Sequence, residues 1–316
     1  MRNHSSLPYV WMLCGCVAFT FMTTFAHALR TSCDWQIVAL ARSGLAMLFA
    51  ALLTFQAGAR LVFWHSRTLW IRSLAGSTSL LCTFFALSRL PVADVLALTN
   101  TFPIWVALLS WPLLGEMPSP RIWLAIAVGV VGVLLIQQPH LAHGDGAILF
   151  ALAASICSAV AMLGLHRLHT IDPRAIVVHF SGVATLFCIA AFFVFDHAPA
   201  QHSLDKGWAL LGLLAVGLTA TIGQLFLTKA FAAGPPAKVS LVALTQIVFG
   251  LLADVLVFDH DLNLVSLAGI ALVVTPTVWV LSGKEAIHPS PASKPRRHKL
   301  RKPAQTARKK KALPSM

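Results

Sequence analysis

The chain has 316 residues, of which 57% are hydrophobic and only 11% are charged. A soluble domain of this length carries about a quarter charged residues, so the composition excludes an ordinary soluble protein and indicates a membrane protein. The formal net charge of +13 is uneven, because residues 284–316 hold eleven of the 24 Lys and Arg residues and a single acidic residue.

Ten apolar runs follow one another along the first 283 residues. A transmembrane helix needs roughly 20 predominantly apolar residues. The runs that approach this length predict ten helices, at about residues 9–28, 35–56, 69–87, 92–113, 121–137, 146–165, 175–195, 208–230, 239–258 and 264–282. The expected fold is therefore all-α, with each long helix a membrane span.

The first apolar run has two interpretations. It follows Arg2 and ends at Ala26, His27 and Ala28, a pattern that also fits a signal peptide with its cleavage site. Cleavage would leave nine helices, whereas an uncleaved first span gives two sets of five. We prefer the uncleaved span, because the second half of the chain repeats the first.

The repeat aligns residues 86–135 with residues 230–279 without a gap, at an offset of 144 positions. Both segments read as the end of an apolar helix, a turn with Pro, a helix, a polar turn and a final helix. Nine aligned pairs are identical: Ala86 with Ala230, Pro91 with Pro235, Ala93 with Ala237, Val95 with Val239, Thr101 with Thr245, Leu108 with Leu252, Ile126 with Ile270, Ala127 with Ala271 and Val130 with Val274. The sequence predicts five-helix repeats at 1–140 and 141–283 and a disordered basic tail at 284–316.

Lys and Arg in the short loops predict the orientation of the spans. If the N-terminus is inside, the inner loops and helix ends hold Arg2, Arg60, Arg67, Arg72, Arg121, Arg167, Arg174, Lys229 and Lys238, and the outer loops hold Arg30, Arg89 and Lys206. Both termini are then cytoplasmic. Because each repeat has an odd number of spans, the second is inverted relative to the first, which is an architecture of secondary transporters.

A family resemblance rests on the fourth and fifth predicted helices. Residues 91–103 read Pro-Val-Ala-Asp-Val-Leu-Ala-Leu-Thr-Asn-Thr-Phe-Pro, and a Leu-Gly-Glu turn that ends at Glu116 and a helix with Gly129 and Gly132 follow. This segment resembles an EamA repeat of the drug/metabolite transporter superfamily, and the segment around Arg42 resembles that family's Arg-containing second helix. The resemblance implies a proton-linked or facilitative carrier of small metabolites, commonly an exporter of amino acids or related compounds.

The second repeat departs from the family pattern in two places. Residues 258–261 read Phe-Asp-His-Asp where the family often repeats a Gly-Glu turn, and Ile247 stands opposite Pro103. We therefore do not expect strict functional symmetry between the repeats.

A charge within a membrane span is costly and marks a candidate for function, and two of the ionisable residues in the predicted spans are the main candidates. Arg42 lies about two turns into the second helix and is predicted to bind an anionic group such as a substrate carboxylate. Pairing with carbonyl groups of a neighbouring helix is the alternative. Asp254 lies about one turn from the end of the ninth helix and is a candidate for proton coupling, with a solvated interfacial acid as the alternative.

Uncharged polar side chains suit a cavity at mid-membrane. Besides Arg42, the candidates for substrate binding are Ser77, Asn100, Thr101, Trp105, His179, Gln224, Thr245 and Gln246. Hydrogen bonding or packing between helices is the alternative for each of them. Pro103 and Pro112 each remove a helical N–H and are candidates for a hinge, and Glu116 is a candidate for gating or a structural role.

His and Asp residues recur in the predicted outer loops, at His140, His143, His202 and His260 and at nearby Asp residues. These residue types bind zinc, nickel or copper, so a metal or a metal chelator at the outer mouth is a hypothesis and ordinary solvated loops are the alternative. The six cysteines contain no CxxC pair, and no cofactor is expected.

Three classes of function fit these features. The leading one is a secondary transporter of a small-molecule substrate in the bacterial inner membrane, whose basic tail contacts anionic inner-leaflet lipids rather than nucleic acid. Within that class, a carrier of a metal-chelating or cofactor-like metabolite is an alternative. The other classes are a non-transporting scaffold and an integral-membrane enzyme, although the spans contain no catalytic constellation such as HExxH. The sequence leaves a homodimer open.

Overall fold

The computed structural model describes residues 6–29, 32–64, 66–139, 146–194, 206–258 and 263–282. All regular structure in this part of the chain is helical, which confirms the expected all-α fold. The helices are α1 (Leu7–Leu29), α2 (Trp35–Gln56), α3 (Arg67–Leu87), α4 (Val92–Thr99), α5 (Phe102–Leu114), α6 (Pro120–Gln137), α7 (Ala147–Arg167), α8 (Pro173–Val194), α9 (Lys206–Ala233), α10 (Pro236–Ala243), α11 (Thr245–Phe258) and α12 (Leu264–Ser282).

These helices form ten segments that are long and apolar enough to cross a membrane. Eight are single helices, and two are broken: α4 with α5 makes the fourth span, and α10 with α11 makes the ninth. The predicted ten spans are therefore confirmed. The first of them is one continuous helix of 23 residues.

The two halves of the chain interlock. The first helix of each half packs mainly against the other half, since α1 lies along α9 and α7 lies along α3. Related pairings follow: α2 packs on α8 and α9, α8 packs on α3, α6 packs on α12, and α5 packs on α10. Exchanging the halves maps these pairings onto one another, except the pairing of α5 with α10, as expected for two inverted repeats.

The fourth and ninth spans break at equivalent positions. The hydroxyl of Thr101 donates to the carbonyl of Leu98 over 2.6 Å, and the hydroxyl of Thr245 donates to the carbonyl of Val242 over 2.7 Å. Such local side-chain bonds compete with the regular helical ladder. In the fourth span Pro103 also lacks an N–H for the ladder, and it stands near the start of α5.

The other predicted hinge residue, Pro112, does not interrupt its helix. It lies in the last turn of α5, which continues to Leu114 and ends at Gly115 in the left-handed conformation. The break that the structure shows in the fourth span therefore precedes Pro103.

A close backbone contact joins the fifth and tenth spans. A Cβ atom added to Gly132 of α6 would lie 2.8 Å from the carbonyl oxygen of Gly269 in α12, and one added to Gly269 would lie 2.7 Å from that of Gly132. Only glycine fits at this separation. Small residues allow such close approach in membranes, where water provides no driving force for helix association.

Candidate functional site

A narrow cavity lies between the two halves, enclosed by α2 and α3 of the first half and by α8 and α9 of the second. It has room for about one water molecule. Its lining residues are Arg42, Ser43, Ala46, Leu80, Phe180, Ser181, Ala184, Ala220 and Gln224. Small and polar side chains therefore concentrate where the halves meet.

The cavity lies near the middle of the bundle. We call the end of the bundle at which α3 and α8 begin the α3 face, and α2 ends at the same face. At 1.5 Å per residue, the lining residues lie about 10 to 21 Å from this face. A hydrocarbon core is about 30 Å thick, so this depth corresponds to the central part of a membrane.

Arg42 is partly buried on the cavity wall. Its Nε lies 3.2 Å from the sulfur of Met22, and no described carboxylate lies within 4 Å of the guanidinium. Thioether sulfur is a weak acceptor that does not neutralise a cation. The guanidinium therefore has capacity to bind an anion.

Several buried polar atoms have no hydrogen-bond partner among the described residues. They include the side-chain oxygen atoms of Ser77 in α3 and of Gln224 and Thr228 in α9. An unsatisfied buried polar group is costly, and sites that bind ligands are one place where such groups occur. Gln224 lines the cavity together with Arg42, as the sequence hypothesis placed them.

His179 is buried but is not among the cavity-lining residues. Its Nδ1 lies 2.8 Å from the Ser73 hydroxyl, and its ring meets the ring of Trp70 edge-on at 4.7 Å. The next two residues along α8, Phe180 and Ser181, line the cavity instead. Successive residues point about 100° apart on a helix, and the apolar sequence of α8 does not show which of them faces inward.

The remaining candidates lie at the two helix breaks. Asn100 donates to the carbonyl of Leu96 over 2.8 Å, and the hydroxyls of Thr101 and Ser155 lie 2.8 Å apart. Trp105 packs against the buried cluster that contains Val106, and its buried Nε1 has no hydrogen-bond partner among the described residues. In the other half, Thr245 and Gln246 lie at the start of α11, just after Ala243. The carbonyl of Ala243 accepts a hydrogen bond from the Cys16 thiol over 3.7 Å. The structure does not bring these residues into the cavity that holds Arg42.

Glu116 lies at the α3 face. Its carboxylate is 3.9 Å from Nε2 of His166, whose Nδ1 lies 3.2 Å from the carbonyl of Phe231. The neighbouring Arg167 donates to the carbonyl of Leu113. These contacts join the ends of the fourth, sixth and eighth spans, which is a suitable place for a gate.

Asp254 occupies an exposed position on α11, one turn before the helix ends. The coupling hypothesis relied on burial of this carboxylate, and the structure does not show that burial. The predicted metal candidates His140, His143, His202 and His260 lie outside the described residues. Within the described part of the chain, no group of three His, Cys, Asp or Glu side chains is arranged to hold a metal.

Arg72 is a residue that the sequence hypothesis used only as a sign of orientation. The structure buries it almost completely, with 1% of its surface exposed, and places its guanidinium 3.9 Å from the centre of the Phe180 ring. The sequence signal for a buried arginine of this kind is its position more than one turn inside a span. Most of the residues that follow Arg72 in the span are small.

The ten spans in two interlocked halves, with a cavity between the halves at mid-depth that Arg42 and Gln224 help to line, are the features of a secondary transporter. The chain belongs to the EamA-like transporter family, whose model matches residues 6–138 and residues 145–282. The chain is therefore a transporter rather than an enzyme.

Similar proteins are transporters as well. The pseudopaline exporter CntI of Pseudomonas aeruginosa is 31% identical over 244 residues, which cover 75% of this chain and 82% of that protein. An uncharacterized transporter of Helicobacter pylori is 27% identical, and the match covers 66% of this chain and 71% of that protein. A riboflavin transporter of Rhizobium johnstonii is 24% identical, and the match covers 90% of this chain and 93% of that protein.

A solved crystal structure is similar to this fold. It superposes with a TM-score of 0.72 at 17% identity, and the match covers 85% of this chain and 97% of the other. At this identity the likeness supports the fold alone.

Proposed function

We propose that this transporter exports small carboxylated metabolites, such as amino acids or related compounds, across the bacterial inner membrane. One observation carries the proposal: the Arg42 guanidinium lies on the wall of the cavity between the halves without a carboxylate partner among the described residues. A cation at this depth is costly, and a bound carboxylate stabilises it through charge-assisted hydrogen bonds.

Transport proceeds by alternating access. The cavity is too small for a metabolite in this structure, so binding requires the halves to separate. Its walls come from both halves, α2 and α3 on one side and α8 and α9 on the other. A rocking motion of one half against the other therefore opens and closes the same site toward each side of the membrane in turn.

The direction of transport is supported by one relative, which is named an exporter of pseudopaline. Another relative is named a transporter of riboflavin, which is a cofactor precursor. A cofactor-like metabolite is therefore the second candidate for the cargo. In the proposed orientation both termini are cytoplasmic, and the basic tail contacts anionic inner-leaflet lipids.

The test uses inverted membrane vesicles. Their uptake of labelled amino acids, other carboxylated metabolites and riboflavin is measured with and without a pH gradient. We expect accumulation of a carboxylated compound, reduced at least tenfold by Arg42→Ala. The reason is that hydrogen bonds to charged groups are each worth about 1.5 to 3 kcal/mol.

The matched control is Arg89→Ala. Arg89 is exposed after the end of α3 and lies over the Phe85 ring at 5.4 Å, far along the chain from the cavity residues of α2. Accumulation of riboflavin alone would favour the second candidate. Equal accumulation by wild type and a folded Arg42→Ala variant would refute the role of Arg42.

A further inference from the structure

Arg72 is a buried cation that the proposed site does not use. Its side chain is 1% exposed, and neither Nε nor Nη1 has a hydrogen-bond partner among the described residues. No described carboxylate lies within 4 Å of it. An arginine that only stabilises a bundle is expected to bond to carbonyl groups of neighbouring helices, and these two nitrogens do not.

The fold makes room for this side chain with two glycines. A Cβ atom added to Gly164 of α7 would lie 3.0 Å from Cβ of Arg72, and one added to Gly76 of α3 would lie 3.0 Å from Nη1. Arg72 thus lies where α3 of the first half meets α7 and α8 of the second. This junction is one that must rearrange when the halves move.

Phe180 separates Arg72 from the cavity. Its ring contacts the Arg72 guanidinium at 3.9 Å and also lines the cavity that contains Arg42. Counted at 1.5 Å per residue, the three residues lie about 7.5 Å (Arg72), about 10.5 Å (Phe180) and about 21 Å (Arg42) from the α3 face. The two arginines therefore lie in series between this face and the middle of the bundle.

The aromatic contact offsets part of the cost of burying the charge, because the ring face is negative. It leaves the two unpartnered nitrogens without an acceptor. A carboxylate supplies acceptors for a planar guanidinium fork and neutralises its charge at the same time.

We propose that Arg72 is a second carboxylate-binding station on the transport path, between the central cavity and the α3 face, and that the Phe180 ring is the barrier between the two stations. This inference rests on the proposed function and extends it. A carboxylated substrate leaves the Arg72 guanidinium for Arg42, or the reverse, when the halves rock and the Phe180 ring moves aside.

The test uses the purified full chain and sodium glutamate as the probe. The apparent melting temperature is measured in glutamate and in sodium chloride of equal ionic strength, for wild type, Arg72→Met, Arg42→Met and the control Arg89→Met, and vesicle transport is measured for the same four proteins. Met keeps the apolar stem and removes the unpaired charge.

We expect Arg72→Met to melt no lower than wild type in chloride, because replacing a buried unpaired charge by an apolar side chain is neutral or stabilising. In the same variant, glutamate should raise the melting temperature less than in wild type, and the transport rate should fall at least tenfold. Arg89→Met should match wild type in both measurements. Arg72→Met that transports and responds to glutamate like wild type overturns the proposal.

Two further results separate this proposal from the proposed function. If Arg42→Met keeps the full response to glutamate and Arg72→Met loses it, the role of Arg42 fails and the second station stands. If wild type shows neither transport of a carboxylate nor a response to glutamate, both fail. If Arg72→Met does not fold, Arg72→Lys decides: it keeps a charge without the planar fork, and a response to glutamate equal to that of wild type overturns the station.

Discussion

The hydroxyl groups of Thr101 and Thr245, 144 positions apart, each donate to the carbonyl three residues earlier at the break of a membrane span. The two threonines are aligned in the internal repeat, although Pro103 of the first half is aligned with Ile247 of the second. The local hydroxyl bond is therefore the feature that the two breaks share.

Replacing either threonine by valine removes this bond while keeping the shape of the side chain. We expect Thr101→Val and Thr245→Val each to lower the transport rate several-fold, because the break then competes with a continuous helical ladder. Thr101→Val should also lower stability by about 1 kcal/mol, since its hydroxyl bonds to Ser155. Vesicle transport and thermal unfolding measure the two effects.

Thr277→Val is the control for both variants. The Thr277 hydroxyl donates to the carbonyl of Val273 over 2.7 Å within α12, which continues unbroken past Pro276 to Ser282. A loss of transport as large in Thr277→Val as in the two break variants would show that the breaks have no special role.

The contact between Gly132 and Gly269 predicts a large effect of a single methyl group. Gly132→Ala places a Cβ 2.8 Å from a backbone carbonyl that has no flexible end to move away. We expect a loss of about 1 to 3 kcal/mol, as for overpacking in a core. In Gly250→Ala of α11 no described atom lies within 4 Å of the new Cβ, so this variant should be neutral or slightly stabilising. Equal melting temperatures for the two variants would contradict this packing.

The Gln224 side chain predicts a conflict between stability and transport. Its buried Oε1 has no hydrogen-bond partner among the described residues, so Gln224→Leu should not lower the melting temperature. The melting temperature should rise if the free energy of the unsatisfied oxygen, about 1 to 3 kcal/mol, is recovered. Transport should fall at least several-fold, because the cavity loses a polar group. A strongly destabilised variant would indicate that Gln224 has a structural partner instead.

The contact between Glu116 and His166 predicts that variants of the two residues have coupled effects on the transport rate but small effects on the stability of the fold. The side chains are partly exposed and 3.9 Å apart, so Glu116→Gln should change stability by less than about 1 kcal/mol. If the contact holds the α3 face closed, Glu116→Gln and His166→Gln should each change the transport rate and the double variant should add little. Fully additive effects on the rate in this double-mutant cycle would exclude a shared gate.

The ten spans could be predicted from the sequence because each apolar run is long enough to require a membrane helix. Arg42 and Gln224 could be predicted for the cavity, because polar groups are rare in spans and tend to face other protein. The breaks themselves are not evident from the sequence, because the hydroxyl bond that they share also occurs within unbroken helices and proline follows the break in one half alone.

Rotation of the helices about their axes was the main quantity that the sequence did not determine. In α8 nearly every residue around His179 is apolar or small, so no polar stripe shows which side chain points into the cavity. The sequence places Arg72 near the end of a predicted span, where basic residues often mark orientation. Only the packing of α7 and α8 against α3 reveals that this side chain is enclosed.

The pairing of α1 with α9 has a consequence for biogenesis. Leu7–Leu29 leaves the ribosome before the helix that it lies along, Lys206–Ala233, which is made about 180 residues later. At about 5 to 20 residues per second, this delay is about 9 to 36 seconds. During that interval α1 is inserted in lipid, without its main neighbour, with small and polar side chains such as Gly15 and Thr20 facing acyl chains. The packing of α1 is therefore completed only after most of the chain has been synthesised.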